Sequence, residues 1–180
     1  MFNKPEFIVV SGGPGSGKTT VLLELAKRGY HYAPEVARSI IQDQMVRGGS
    51  ALPWQDRERF THLMLEWSIQ SYLENLSSLQ TVFFDRGIPD TLCFARLIGL
   101  PDTRTIERAC CDYRYARLVF LAPPWKEIYT TDNERKQDFA EAERTYKEMT
   151  KVYQDLGYEL AVLPPLLPAP RADFIVERMS

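Results

Sequence analysis

Residues 12–19 read Gly-Gly-Pro-Gly-Ser-Gly-Lys-Thr, and these eight residues constrain the fold of the chain more than any others. The apolar run Phe7-Ile8-Val9-Val10 precedes them and Thr20-Val21-Leu22-Leu23-Glu24-Leu25-Ala26-Lys27 follows, so a buried strand, a glycine-rich loop and a helix are expected in that order. Gly12, Gly13, Gly15 and Gly17 admit backbone conformations that a Cβ disfavours, which lets loop amides converge on phosphate oxygens. The positive end of the following helix adds to that field. The expected phosphate-binding set is Gly13, Pro14, Gly15, Ser16, Gly17, Lys18, Thr19 and Thr20. Lys18 is expected to reach the β- and γ-phosphates of ATP, and the Thr19 hydroxyl to ligate Mg²⁺.

The remaining sequence narrows the class. A chain of 180 residues fits one domain, taken as residues 1–180, and 44% hydrophobic with 26% charged residues is a globular composition. The net charge of −2 gives no nucleic-acid footprint. The N-terminus lacks the layout of a signal peptide, and no apolar run approaches the roughly 20 residues of a membrane span. Cys93, Cys110 and Cys111 form no metal-type spacing and read as reduced thiols, so a cytoplasmic protein is expected. His31 and His62 form no ligand cluster.

Apolar runs and helical patterns alternate, which argues for a parallel sheet with helices on both faces. A second short strand lies around residues 31–38 and runs into a helix. Pro53 is expected to open a long helix reaching about Leu79. Thr81-Val82-Phe83-Phe84-Asp85 reads as the third strand, and Asp102-Thr103 as the start of another helix. Leu118-Val119-Phe120-Leu121 reads as the fourth strand. Phe139, Ala142, Tyr146, Met149, Tyr153 and Leu156 recur at steps of three and four, a helical seam facing the core. Tyr158–Leu163 reads as the fifth strand, and the prolines at 164, 165, 168 and 170 as a stiff loop.

Asp85 ends an apolar strand, which places a carboxylate at the sheet edge where the phosphate loop opens. There it can hold hydrated Mg²⁺ and orient or deprotonate an acceptor hydroxyl. Arg86 offers forked donors to a phosphate or substrate anion, or pairs with Asp90 or another acid. Glu35 and Arg38, three residues apart on one helical face, can read hydroxyls or charge on an acceptor, or form a surface ion pair. The polar segment 125–137, with Tyr129, Asp132, Asn133, Arg135 and Lys136, is expected to act as a lid, with Arg135 stabilising charge in the transition state. The loop from Pro164 to Arg171 is the expected edge for the adenine base.

Together these residues resemble the nucleotide- and nucleoside-kinase-like branch of the P-loop fold. Within it, the chain resembles the AAA-domain family of small ATPase/kinases related to the ribosylnicotinamide-kinase domain of bifunctional NAD-salvage proteins. The resemblance rests on Gly12–Thr19, Pro34-Glu35-Val36-Ala37-Arg38, Phe84-Asp85-Arg86-Gly87 and Tyr129-x-x-Asp132-Asn133-x-Arg135, where Asn133 stands in place of the family's lid glycine. It implies a three-layer α/β fold with a five-stranded parallel sheet in the order 2-3-1-4-5. It also implies Mg-ATP as phosphoryl donor and a small-molecule acceptor. The residues themselves name Lys18, Asp85, Arg86 and Arg135 as the expected catalytic set of a small-molecule kinase acting on a nucleoside-like or other hydroxylated acceptor. The alternative is a nucleotide-binding ATPase or GTPase switch. The chain has no Asn-Lys-x-Asp motif after its fourth strand, which weakens the guanine-specific form of that alternative.

Overall fold

A computed structural model describes residues 1–126 and 139–179. The strands are β1 (Phe2–Asn3), β2 (Phe7–Gly12), β3 (His31–Ala33), β4 (Val82–Asp85), β5 (Tyr113–Arg114), β6 (Leu118–Ala122) and β7 (Glu159–Val162). The helices are α1 (Lys18–Lys27), α2 (Val36–Arg47), α3 (Arg57–Glu74), α4 (Ile88–Leu97), α5 (Arg104–Asp112), α6 (Phe139–Asp155) and α7 (Pro168–Met179). The main sheet is parallel throughout, in the order β3-β4-β2-β6-β7. Counting only its five strands in chain order, this is 2-3-1-4-5, the expected order.

Alternation along the buried strands sorts the core into two layers. Phe7 and Val9 of β2, Val82 and Phe84 of β4, and Val119 and Leu121 of β6 face α3, α4, α5 and α6. Ile8, Val10, Phe83 and Phe120 face α1 and α7. A third cluster, Ile40, Ile41, Leu52, Phe60 and Met64, joins α2 to the start of α3. Register sets the functional edge: Val10 pairs with Asp85 and Gly12 with Ala122, so the phosphate loop and the strand-end carboxylate emerge side by side.

Several elements differ from expectation. Helix α3 begins at Arg57, not Pro53, because the Asp56 side chain accepts from the Arg59 amide at 3.0 Å and caps it there. A Pro53–Asp56 turn precedes it, and the helix stops at Glu74, short of Leu79. Helix α4 has no counterpart in the sequence reading: it packs against α3, α5 and α6 and is buried on most sides, polar Asp90 and Thr91 included, so it shows no clean one-sided stripe. The proline cluster is not all loop. Pro168 and Pro170 sit in the first turn of α7, where a missing N–H costs nothing. A two-residue parallel pair, β1 with β5, ties the N-terminus below the sheet.

Candidate active site

The loop makes its shape with close backbone contact. Gly12 has φ +141°, and an added Cβ would collide with the Ala122 carbonyl oxygen, so only glycine fits this seam. Gly15 and Gly17 also adopt positive φ. Several of the loop's carbonyl oxygens are occupied. Lys18 Nζ donates to Gly12 O at 2.8 Å and Gly13 O at 2.9 Å. Ser16 Oγ donates to Gly13 O at 2.8 Å, and Thr20 Oγ1 to Gly17 O at 2.7 Å. Among the described residues, the amides of Gly13, Gly15, Ser16 and Gly17 donate no hydrogen bond. A loop that turns several carbonyls to internal donors and leaves its amides unspent has the geometry that can receive an anion.

Thr19 and Asp85 meet as the sequence suggested. Thr19 Oγ1 donates to Asp85 Oδ2 at 3.1 Å, while Asp85 Oδ1 is buried without a partner. Burial pushes the Asp85 carboxyl above its ordinary pKa, with Lys18 pulling the other way. A hydroxyl oxygen beside an orphaned carboxylate oxygen is a donor set that suits a hard divalent cation. The described residues contain no cluster of three or more His, Cys, Asp or Glu side chains, so such a cation would keep most of its ligands from water and phosphate.

Arg86 and Glu35 also come together. Arg86 is the one described non-glycine residue with positive φ, at 72°, which directs its side chain across the sheet edge. Its Nε donates to Glu35 Oε1 at 2.8 Å and its Nη1 to Asp90 Oδ1 at 3.4 Å. Burial opposes the Arg86 charge, but Glu35 and Asp90 outweigh it and raise the pKa above the ordinary value. Burial likewise pushes Glu35 up, while Arg86 and then Lys18 pull it to a net lowered pKa, so it stays ionised. Of the two alternatives named for Arg86, the structure shows the pairing with acids, and the residue also lines the cavity.

Asp90 organises this corner, a role the sequence did not reveal beyond its pairing with Arg86. It accepts from Ser11 Oγ at 2.5 Å, Tyr153 Oη at 2.6 Å and the Gly87 amide at 2.8 Å. One buried carboxylate thus joins β2, the end of β4 and α6. Its place three residues past Gly87, in the first turn of a helix, is the signal that could have marked it.

The loop opens into a cavity of about 1000 Å³. Pro14 through Thr20 form one wall, with Glu35, Arg38 and Arg86 beside them. Asp85, buried and bonded to Thr19, does not line it, and neither does Gly13. Leu166, Leu167, Pro168 and Arg171 border one end, where the base edge was expected, together with Glu141 and Arg144 of α6. The other end is lined by Trp54, Phe60, Met64, Phe94, Leu97 and Ile98, an apolar compartment absent from the sequence reading because its parts lie on three separate segments. Trp125 lines the cavity, whereas Tyr129, Asp132, Asn133, Arg135 and Lys136 lie outside the described residues. Among those described, no helix is long and apolar enough to cross a membrane.

Several solved structures share this architecture. NadR, solved in complex with NR, superposes with a TM-score of 0.73 at 20% identity, over 99% of this chain and 52% of that one. This chain therefore spans about half the length of NadR. Thymidylate kinase from Ehrlichia chaffeensis gives a TM-score of 0.66 at 14% identity, covering 97% of this chain and 98% of its own. Shikimate kinase from Acinetobacter baumannii, in complex with shikimate, gives 0.60 at 15% identity, covering 96% and 92%. At such identities the likeness is one of fold, that of the nucleotide-kinase-like P-loop proteins. No curated protein matches the sequence. The AAA domain family does match it, over residues 7–167, and the chain belongs to that family.

Proposed function

We propose that the protein is an ATP- and Mg²⁺-dependent phosphotransferase acting on a small hydroxylated molecule. The observation that carries this reading is the two-ended cavity. Its volume of about 1000 Å³ lies at the top of the range for a single small ligand, and it continues past the phosphate loop into the apolar compartment around Trp54, Phe60 and Phe94. A nucleotide switch needs only the first end.

Each residue then has a distinct task. The loop from Gly13 to Thr20 holds the donor phosphates, and Lys18 exchanges its two carbonyl partners for phosphate oxygens. Thr19 and Asp85 hold Mg²⁺, which neutralises charge on the donor phosphates. Asp85 is buried and bonded to Thr19 rather than lining the cavity, which favours work on the metal over contact with the acceptor. Glu35, kept ionised and facing the cavity, accepts the hydrogen bond of the acceptor hydroxyl and takes its proton as the new phosphate ester forms. Arg86 holds Glu35 in place and lends positive charge to the transferring group, and Arg38 borders the acceptor. The aromatic compartment favours an acceptor with a flat or apolar body, such as a nucleoside, over a polyhydroxylated acid.

Phosphate transfer from ATP, followed by phosphorus NMR across nucleosides, nucleotides and vitamin-like alcohols, tests the reading. Phosphorylation of at least one acceptor well above the water reaction is expected. Nucleotide hydrolysis alone, with every acceptor untouched, rejects it, and binding of GTP in strong preference to ATP without transfer would favour the switch.

Lys18 sets a pH dependence. Burial and then Arg86 lower its ammonium from 10.5 to about 8, against a smaller opposing pull from Asp85. Between those values the unfolded chain holds a proton that the folded one has released, so the stability of the ligand-free protein rises with pH across that window. Polyphosphate binding needs the ammonium form. Affinity for ADP is therefore expected to fall as pH passes about 8, with proton uptake on binding, and calorimetry in buffers of different ionisation enthalpy measures both. A flat affinity from pH 7 to 9.5 would remove Lys18 from phosphate contact.

A further inference from the structure

Two arginines border the cavity, and they differ in their surroundings. Arg86 is neutralised by Glu35 and Asp90. Arg171, in the first turns of α7, is 2% exposed and has no ion pair with a described carboxylate. Its Nη1 donates to the Ser16 carbonyl oxygen in the phosphate loop at 3.0 Å, and its Nε is buried without a partner. Burial alone perturbs it, lowering its pKa, whereas Lys18 feels Asp85, Glu35 and Asp90. An uncompensated guanidinium in a dry site is costly unless something arrives to neutralise it.

The contact with Ser16 has a geometric meaning. Successive loop peptides that turn their N–H groups toward an anion must turn their carbonyl oxygens elsewhere. The carbonyls of Gly12, Gly13 and Gly17 find donors in Lys18, Ser16 and Thr20, all close in sequence. The Ser16 carbonyl finds its donor 155 residues away, on the last helix. We infer that Arg171 is the positioning residue that completes the phosphate cradle from outside the loop. It fixes the Ser16 peptide and supplies the positive charge that the donor's polyphosphate neutralises. This rests on the reading of the loop as the donor site and assigns a specific determinant of phosphate recognition to it.

The test separates charge recognition from mere scaffolding by using inorganic tripolyphosphate and adenosine as independent probes of the full chain. Arg171→Met is expected to weaken tripolyphosphate and ATP by about tenfold or more, as loss of a charge-assisted contact does, and to leave adenosine affinity unchanged. Its melting temperature without ligand is expected to hold or rise, because an uncompensated buried cation is gone. Arg171→Lys keeps the charge without the fork and is expected to recover part of the affinity. A lowered melting temperature with unchanged tripolyphosphate binding would make Arg171 a scaffold and overturn the inference, as would parallel losses for adenosine and ATP. Should Arg171→Met fail to fold, Arg171→Lys decides: wild-type affinity for tripolyphosphate overturns the inference, and a severalfold loss with a preserved melting temperature supports it. A wild-type chain that binds tripolyphosphate but phosphorylates no acceptor sinks the kinase reading and leaves Arg171's role standing. A wild-type chain that binds no tripolyphosphate sinks both.

Discussion

Lys18→Ala is expected to reduce phosphoryl transfer by about 10²–10³-fold, the usual cost of deleting one preorganised donor to developing charge. Lys18 is 5% exposed and its ammonium bridges the Gly12 and Gly13 carbonyls, so it shapes the loop even before a ligand arrives. Two opposing effects on stability follow. Two carbonyl oxygens lose a donor, at about 1–3 kcal/mol if they stay dry, while a buried charge whose pKa has dropped to about 8 is removed. These nearly offset, so the variant should melt close to the wild-type temperature while turnover collapses. Turnover at the wild-type rate, in a well-folded variant, would refute the placement of the donor site.

Asp85→Asn separates metal holding from nucleotide binding. Asparagine has almost the same shape, and its amide oxygen can still accept from Thr19, but it carries no charge for a cation. Turnover at fixed Mg²⁺ is expected to fall about 10²-fold or more, while ADP affinity in the absence of Mg²⁺ stays within a few-fold. Stability should move the other way. Burial raises the Asp85 pKa, so its ionised form costs stability above the folded-state pKa, and that cost is relieved as pH falls through it. Removing the charge should therefore raise the melting temperature of the ligand-free protein at neutral pH and flatten its dependence on acid. Equal losses of turnover and of metal-free ADP binding would assign Asp85 to the phosphates instead. A drop in melting temperature would show that the orphaned carboxylate oxygen is compensated.

The parts of this protein that the sequence disclosed are those where neighbouring residues carry the signal. Phe7–Val10 and Val82–Asp85 are short apolar runs with a chemical marker at the end, and the pairing of Val10 with Asp85 puts those markers together. The seam on α6 shows because one face is buried and the other is wet. Helix α4 stayed hidden for the opposite reason, since burial on most sides erases periodicity. The prolines of α7 looked like breakers, and only a helix start makes them harmless. In the site, Lys18, Thr19 and Asp85 were legible from motif and strand end. Arg171 was assigned only to the edge of a base-binding loop, because its partner Ser16 is in another part of the chain. The aromatic compartment was missed on the same ground. Trp54, Phe60 and Phe94 become neighbours only after α3 and α4 pack, with the Phe60 and Phe94 rings 5.5 Å apart.

The sheet order has a consequence for how the chain is made. Strand β2 is synthesised first among the main strands yet lies at the centre, hydrogen-bonded to β4 on one side and β6 on the other. Residues 7–12 therefore leave the ribosome with no strand to pair with until residues 82–85 emerge, and stay open along one edge until residues 118–122 follow. During that interval the phosphate loop has no frame, because Gly12 takes its seat against Ala122 only when β6 arrives. On the proposed reading nucleotide capture begins only late in synthesis, and an apolar strand waits exposed for most of it, which places an aggregation hazard at residues 7–12.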